Sequence, residues 1–533
     1  MTAALLSLPL LIPLTAAAAC AAMWARPRAQ AGVCLGAALA TLAASVALTA
    51  QVLRLGPIAA QAGAWPAPFG ITLVADTLSC VMLLINSGVL AAAALHGLGS
   101  VDRPRASGGH HALTLTLAAG VSGAFLTGDI FNMYVWYEVM LLSSFVLVTL
   151  GSTRRQLEGG LAYLTLNLIA SGLFLAGVGV LYGLTGTVNM ADLALKLPAA
   201  DRPQLVTAVG AVILTAFAIK AAAAPLYFWL PASYDTCPPV VAALMAGVLS
   251  KVGVYSIIRA SSLFLGQEAA VFQWLLALSG LTMVLGVFGA AVAVEIRRVL
   301  AFHSVSQIGY MLMGFAVAML AARTRPESQP VAELALAGAI LFMVHHAAVK
   351  TNLFLISGVV LRARGTTRLA QLGGLCHTHP LTAGLFFVTA MSLAGVPLLS
   401  GFIAKLALVR AGVQAGQDAI VAVSLFVSLL TLYSMSKVWD QAFWKAPAAP
   451  PTKRMHFSGD PATADRDTAL MLVPIGLLAG LALLIGLWPS PALDLCRRAA
   501  QEVLRPALYV GTVLGQDPTT EPAQAPTPPE EPL

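Results

Sequence analysis

Residues 218–259 read AIKAAAAPLYFWLPASYDTCPPVVAALMAGVLSKVGVYSIIR: two apolar runs, each holding one lysine, joined by a proline-marked connection. Lys220 is followed closely by Pro225, which removes a backbone donor, and Lys251 lies inside the second run. Runs this apolar read as membrane-spanning helices. An ionisable group near the bilayer centre costs roughly 2.5–3.5 kcal/mol on insertion scales, so it must be paired, hydrated or both. Snorkelling rescues a lysine near a helix end, whose stem carries the ammonium to the headgroups, but not a charge at mid-segment.

The same anomaly recurs on both sides of this stretch. Glu138 lies half-way through GDIFNMYVWYEVMLLSSFVLVTLG (128–151), Lys350 lies in FMVHHAAVKTNLFLISG (342–358), and Lys405 closes SLAGVPLLSGFIAK (392–405). A series of titratable groups through a membrane interior implies a route for protons or cations. The 533-residue chain is 58% hydrophobic and only 10% charged, with a mean hydropathy of +0.84, whereas soluble domains carry roughly 25% charged residues. The expected fold is all-α and polytopic. Windows of 19 residues give about 14 helices, centred near residues 12, 42, 83, 118, 140, 171, 215, 249, 282, 310, 346, 393, 428 and 478.

The net charge of +7 reports topology here rather than a nucleic-acid partner. Of the thirty Lys and Arg residues, sixteen fall in connections following odd-numbered helices, ten on the opposite side and four inside helices. Positive-inside weighting puts the first set in the cytoplasm and both termini outside. Arg497, Arg498 and Arg505 weigh mildly the other way. No basic residue precedes the first apolar run, so an uncleaved first helix is expected rather than a signal peptide. The six cysteines show no ligand spacing.

The divisions expected are helices 1–3 over 1–105, a five-helix unit over 106–262, a second over 263–442, a cytoplasmic loop and last helix over 443–490, and an interfacial segment with a Pro/Glu-rich, disordered tail over 491–533. Two helices are interrupted alike: the seventh at Pro225 and the twelfth at Gly395, Pro397 and Gly401. Broken helices expose backbone groups that must face protein or water, and in transporters built from inverted repeats paired breaks mark the ion path. The separation of Lys220 and Lys405 fits helices 4–8 repeated, inverted, as 9–13.

Glu138 reads as the partner of a lysine on another helix, in the first place Lys220. The plain alternative is a protonated carboxyl bonded to a hydroxyl. Pairing favours its charged form and burial disfavours it, so a proton arriving nearby decides its state. Lys251 reads as a relay member or as a partner for a carbonyl at a helix break. His346 and Lys350, four apart, share a helix face, which suits a proton carrier. His303 and His345 are candidates for an access path, with a loop-facing cap as the plain alternative for His303. Lys405, beside the second break, reads as the exit. Asp76, Asp129 and Asp235 read as residues of helix ends and connections. No Walker loop, dinucleotide fingerprint, metal cluster or haem-type histidine pair is present in the sequence, so neither cofactor nor metal is expected.

Residues 218–259, RRVLAFHSVSQIGYMLMG (297–314) and SLAGVPLLSGFIAK together resemble the core of the antiporter-like membrane subunits. That family spans the pumping subunits of NADH:quinone oxidoreductase, membrane-bound hydrogenases and the Mrp-type multisubunit Na+/H+ antiporters. SKVGVYSIIR, VKTNLFLISG and TGDIFNMYVWYEV resemble the D-type member of the Mrp antiporters. The resemblance implies about 14 helices with two inverted five-helix repeats and a central Glu138–Lys220 pair. It also implies proton-transfer roles for Lys251, His346, Lys350 and Lys405, and partner subunits exchanging Na+ or K+ for protons. Lysine rather than glutamate at 405 favours the D type. The four alanines after Lys220, and Tyr227 where many relatives have histidine, depart from the pattern. The alternatives are a pumping subunit of a respiratory oxidoreductase or hydrogenase and a purely structural membrane scaffold.

Overall fold

The computed structural model describes residues 2–266, 268–324, 326–446 and 461–515. Twelve helices among them are long and apolar enough to cross a membrane. With the shorter apolar helices His110–Leu126 and Pro380–Ala394 they make fourteen crossings, each containing its expected centre.

Local sequence explains where crossings begin. The Asp76 carboxylate accepts from Ser79 N at 2.8 Å to cap the third, and Asp129 accepts from Asn132 N at 2.6 Å to cap the fifth. Thr153 and Gln156 form a reciprocal capping box on the sixth. A short antiparallel hairpin interrupts the helices, pairing Ile58–Gln61 with Thr72–Ala75 in the second connection. Its β-branched residues and the Pro66, Pro68 and Gly70 turn favour that form over another helix.

Burial sorts the crossings into a centre and a rim. In their most apolar windows the eighth is wholly buried, the tenth 89% and the third and eleventh 78%, whereas the sixth, ninth, thirteenth and fourteenth are each 39% buried. The rim presents large apolar side chains such as Leu161, Leu168 and Leu175 outward, as a lipid-facing surface does. Lys251, His303, His345, His346 and Lys350 all belong to central helices. The two crossings that carry Lys251 and Lys350 approach closely at Gly247, where an added Cβ would lie 2.5 Å from Thr351 Oγ1.

Successive connections alternate faces, and ion pairs gather alternate ones together. On the arginine-rich face Arg155 reaches Asp235 (3.3 Å) and Glu295 (3.6 Å), and Arg368 also reaches Glu295 (3.2 Å). Two arginines assigned to connections prove internal. Arg259, 3% exposed, pairs with Asp76 at 2.6 Å inside the opposite end of the bundle, so Asp76 is more than a helix-end residue. Arg297, 6% exposed, donates to the Tyr234 (2.8 Å) and Cys237 carbonyls.

Within the segment expected to be interfacial, a helix forms at Ser490–Val503. It docks on protein, burying Cys496, Ala499, Ala500 and Val503 against the third and eleventh crossings, while Glu502 accepts from Thr77 N and Oγ1, both at 2.7 Å. The long hydrophilic connection lies mostly outside the described residues, at 447–460, as does the tail at 516–533.

Candidate functional site

The seventh crossing runs as Pro203–Ala221 and then breaks: Ala222 adopts φ +62°, and the chain restarts as Trp229–Tyr234. Trp229 Nε1 donates to the Ile219 carbonyl at 2.8 Å, satisfying one backbone group freed by the break. Lys220 ends the first half, 6% exposed. Its ammonium donates to Ser171 Oγ of the sixth crossing at 2.9 Å and lies over the Tyr137 ring, 5.2 Å from the centroid.

The expected direct ion pair between Lys220 and Glu138 does not form. Glu138 lies within electrostatic range of Lys220, but its Oε1 is buried without a hydrogen-bond partner among the described residues, and Ser171 takes the ammonium. Beside them is a cavity of about 20 Å³, lined by Tyr137, Tyr163, Asn167, Lys220, Trp229 and Leu249. That volume and lining suit about one water.

Lys251 follows a π-helical turn, Met245–Leu249, and its ammonium bonds the Ala246 carbonyl within that turn. This is the geometry of the carbonyl-partner alternative. Such turns concentrate at functional sites because they free a carbonyl. Lys350 donates to the Leu300 carbonyl of the tenth crossing at 2.8 Å. His346 lies within electrostatic range of both amines, and among the described residues neither of its ring nitrogens is hydrogen-bonded. His346 and Lys350 share a face as expected, without bonding to each other.

Around this centre other buried polar atoms also lack partners among the described residues: Ser250 Oγ, both amide atoms of Gln307, Asn352 Oδ1, His303 Nδ1 and His345 Nε2. His303 is fully buried, with Nε2 2.6 Å from Ser434 Oγ, and so is not a loop-facing cap. His345 Nδ1 lies 2.8 Å from Ser400 Oγ, which places it against the second break rather than toward either face.

That break separates Pro380–Ala394 from Ser400–Gln414. Gly395 at φ +93° and Leu398 at φ +70° turn the chain. Lys405, 7% exposed, reaches back to the freed carbonyls of Leu393 (3.2 Å) and Ala394 (3.0 Å) and to Ser428 Oγ (3.1 Å). It lies over the Tyr310 ring, whose hydroxyl is 2.8 Å from Ser428 Oγ.

The four lysines and the three histidines are thus buried in the bundle, most of them beside hydroxyls or freed carbonyls, whereas Glu138 is half-buried on the fifth crossing. Nothing in the sequence singles out Ser171, Tyr137, Ser428, Tyr310, Ser400 or Ser434, because lone hydroxyls are ordinary in membrane helices. Among the described residues no cluster of three or more His, Cys, Asp or Glu side chains could hold a metal.

Residues 127–431 match the family described as NADH:quinone oxidoreductase/Mrp antiporter, transmembrane. A Na+/H+ antiporter D subunit from Alkalihalophilus pseudofirmus is 39% identical over 474 residues, covering 89% of this chain and 92% of that one. Among solved structures, a chain of the Mrp complex from Dietzia sp. DQ12-45-1b superposes with a TM-score of 0.86 at 32% identity, covering 96% of this chain and 99% of that one. A chain of the membrane-bound sulfane sulfur reductase, an archaeal respiratory membrane complex, gives 0.82 at 26% identity, with the same coverage.

Proposed function

The chain belongs to the NADH:quinone oxidoreductase/Mrp antiporter family, with the Na+/H+ antiporter D subunits, and on that premise we propose that it carries protons along Glu138, Lys220, Lys251, His346, Lys350 and Lys405. It is a multi-pass membrane subunit of an Mrp-type antiporter complex, a transporter component rather than an enzyme. The carrying observation is the buried series itself: four amines at most 7% exposed, with His346 within electrostatic range of the middle two and both its ring nitrogens unpartnered among the described residues. Buried polar groups of that kind take water as partner, and water between titratable groups is a proton path.

In this reading Glu138 and Lys220 are coupled through space, with Ser171 holding the ammonium in one state. Lys251 and Lys350, both within electrostatic range of His346, hand the proton on in turn. Lys405 is the exit, and the two breaks are matching elements of units 106–262 and 263–442. His303 and His345 flank the relay, the latter at the exit break. Partner subunits supply the exchange for Na+ or K+, in a bacterial cytoplasmic membrane with the arginine-rich face inside and both termini outside.

The test is cation-driven dissipation of a pH gradient in everted vesicles carrying the complete complex. Lys220→Ala and Glu138→Ala each reduce it to background while the complex still co-purifies. Unchanged exchange in both would leave the chain a scaffold.

A further inference from the structure

Serines and threonines inside helices ordinarily return their hydroxyl proton to a carbonyl of the preceding turn. On the thirteenth crossing, Asp418–Trp444, Ser424 and Thr431 do so, donating to the carbonyls of Val421 and Val427, each at 2.8 Å. Ser428 lies between them and bonds outward instead, to Tyr310 Oη at 2.8 Å and Lys405 Nζ at 3.1 Å. The reason is Tyr310 of the tenth crossing, whose hydroxyl donates to the Ser424 carbonyl, the acceptor that a serine at 428 would otherwise use. Tyr310 is fully buried, and its ring stacks on Phe342 of the eleventh crossing with centroids 5.2 Å apart, which fixes the aim of the hydroxyl.

Proton counting then sets the direction of each bond. Tyr310 has one hydroxyl proton, and the Ser424 carbonyl, which can only accept, takes it. Ser428 must therefore donate to Tyr310 Oη, which leaves its own lone pairs to accept from Lys405. With the Leu393 and Ala394 carbonyls, Ser428 Oγ gives the lysine three acceptors. An ammonium has three N–H groups to match them, whereas a neutral amine has two and would turn its lone pair on an oxygen. Besides Tyr310, the titratable groups facing Lys405 are His345 of the eleventh crossing and His303 of the tenth, within electrostatic range but turned to Ser400 and Ser434. The first break is built differently: Tyr137, the ring under the Lys220 ammonium, bonds Ser256 rather than Ser171.

We propose that Tyr310 and Ser428 are a positioning pair for Lys405: the tyrosine occupies the serine's own-helix acceptor and so presents Ser428 Oγ as the third acceptor of the ammonium. The pair holds the lysine in its protonated form at the second break. The inference rests on the proton-relay reading. No proton leaves through the pair itself, because the chain from Lys405 through Ser428 and Tyr310 ends on a backbone carbonyl.

The experiment measures initial rates of cation-driven proton exchange in everted vesicles containing the whole complex, with pH set equal on both sides between about 6.5 and about 9.5. Ser428→Ala and Tyr310→Phe each move the alkaline limb of the rate profile to lower pH by about one unit, the worth of one hydrogen bond to a charged group. The double variant moves it no further, since either change removes the same acceptor. Ser428→Thr keeps the hydroxyl and restores the parental profile. A parental profile in Tyr310→Phe, or shifts that add in the double variant, would overturn the pair and leave the relay standing. A loss of rate equal at every pH would assign both residues to packing and equally overturn it. Should Ser428→Ala fail to assemble, Tyr310→Phe and Ser428→Thr still decide. Parental exchange in Lys405→Ala would instead sink the relay reading on which the pair depends.

Discussion

The two broken helices solve one problem in opposite ways. At the first break Lys220 precedes the interruption, bonds a single hydroxyl and borders a water-sized cavity with Glu138 in electrostatic range. At the second Lys405 follows the interruption and turns back onto two freed carbonyls and Ser428. The break-derived carbonyls are thus occupied by an ammonium in one case and by the Trp229 indole in the other. A lysine held by one hydroxyl gives up its position more readily than one held by three acceptors. On the proposed relay the first site is accordingly the natural switch, and the second a terminal station tied to backbone geometry.

The largest effect that separates the sites comes from arginine substitution, which keeps the charge and changes the shape. Lys220→Arg lowers cation-driven proton exchange by about 100-fold, the scale of a lost positioned proton donor, because a cavity of about 20 Å³ has no room for a guanidinium. Lys405→Arg loses far less, since a planar fork still finds the Leu393 and Ala394 carbonyls and Ser428. Initial rates in vesicles at matched complex content measure both. Equal losses would mean that the contrast between the breaks has no functional weight.

A middle-sized effect comes from the turning residues. Gly395 stands at φ +93°, and an added Cβ would meet Lys405 Cδ at 2.9 Å. Gly395→Ala therefore costs about 1–2 kcal/mol of backbone strain and pushes the ammonium from its carbonyls, so thermal stability and exchange fall together. Ala222, at φ +62°, already bears such strain at the first break. Ala222→Gly relieves roughly 1 kcal/mol and raises the thermal midpoint with exchange retained. Opposite signs from the two substitutions, read by thermal denaturation of the purified complex, are the expected result; a destabilised Ala222→Gly would show that surrounding packing, not the residue, sets that turn.

What was legible in the sequence follows the same physics. Glu138 and the four lysines declared themselves because a charge in an apolar run has no ordinary explanation, and Pro225 and Gly395 marked the breaks because they remove a donor or permit a left-handed turn. The matching hydroxyls did not, since Ser171 and Ser428 differ in no local way from Thr165 or Ser424, which bond their own helix. Their role depends on which face meets which, and helical spans do not encode that. The same gap produced the expected Glu138–Lys220 contact, where Ser171 intervenes from a third helix. It also hid the Asp76–Arg259 pair, because both residues sit at crossing ends, where charges are unremarkable until burial is known.

The smallest effect on transport, and a check that the helix-end scaffold is separable from the proposed switch, concerns Asp129. It caps the helix carrying Glu138 and is 5% exposed. Burial pushes its carboxyl up to about 6, against the lowering effect of the Asn132 and Phe131 amides. The native state therefore holds its proton where the unfolded chain, titrating near 3.8, has released it. Stability is full below the lower value and is lost as pH rises through the upper one, a change on the order of 2–3 kcal/mol. Asp129→Asn keeps an oxygen for the Asn132 amide and carries no proton, so the thermal midpoint of the variant complex stays flat between pH 4 and 7 where that of the parent falls. Exchange through Lys220 and Glu138 remains near the parent rate, because Asp129 holds the end of the helix and touches neither group; a loss comparable to Lys220→Arg would place it in the relay instead.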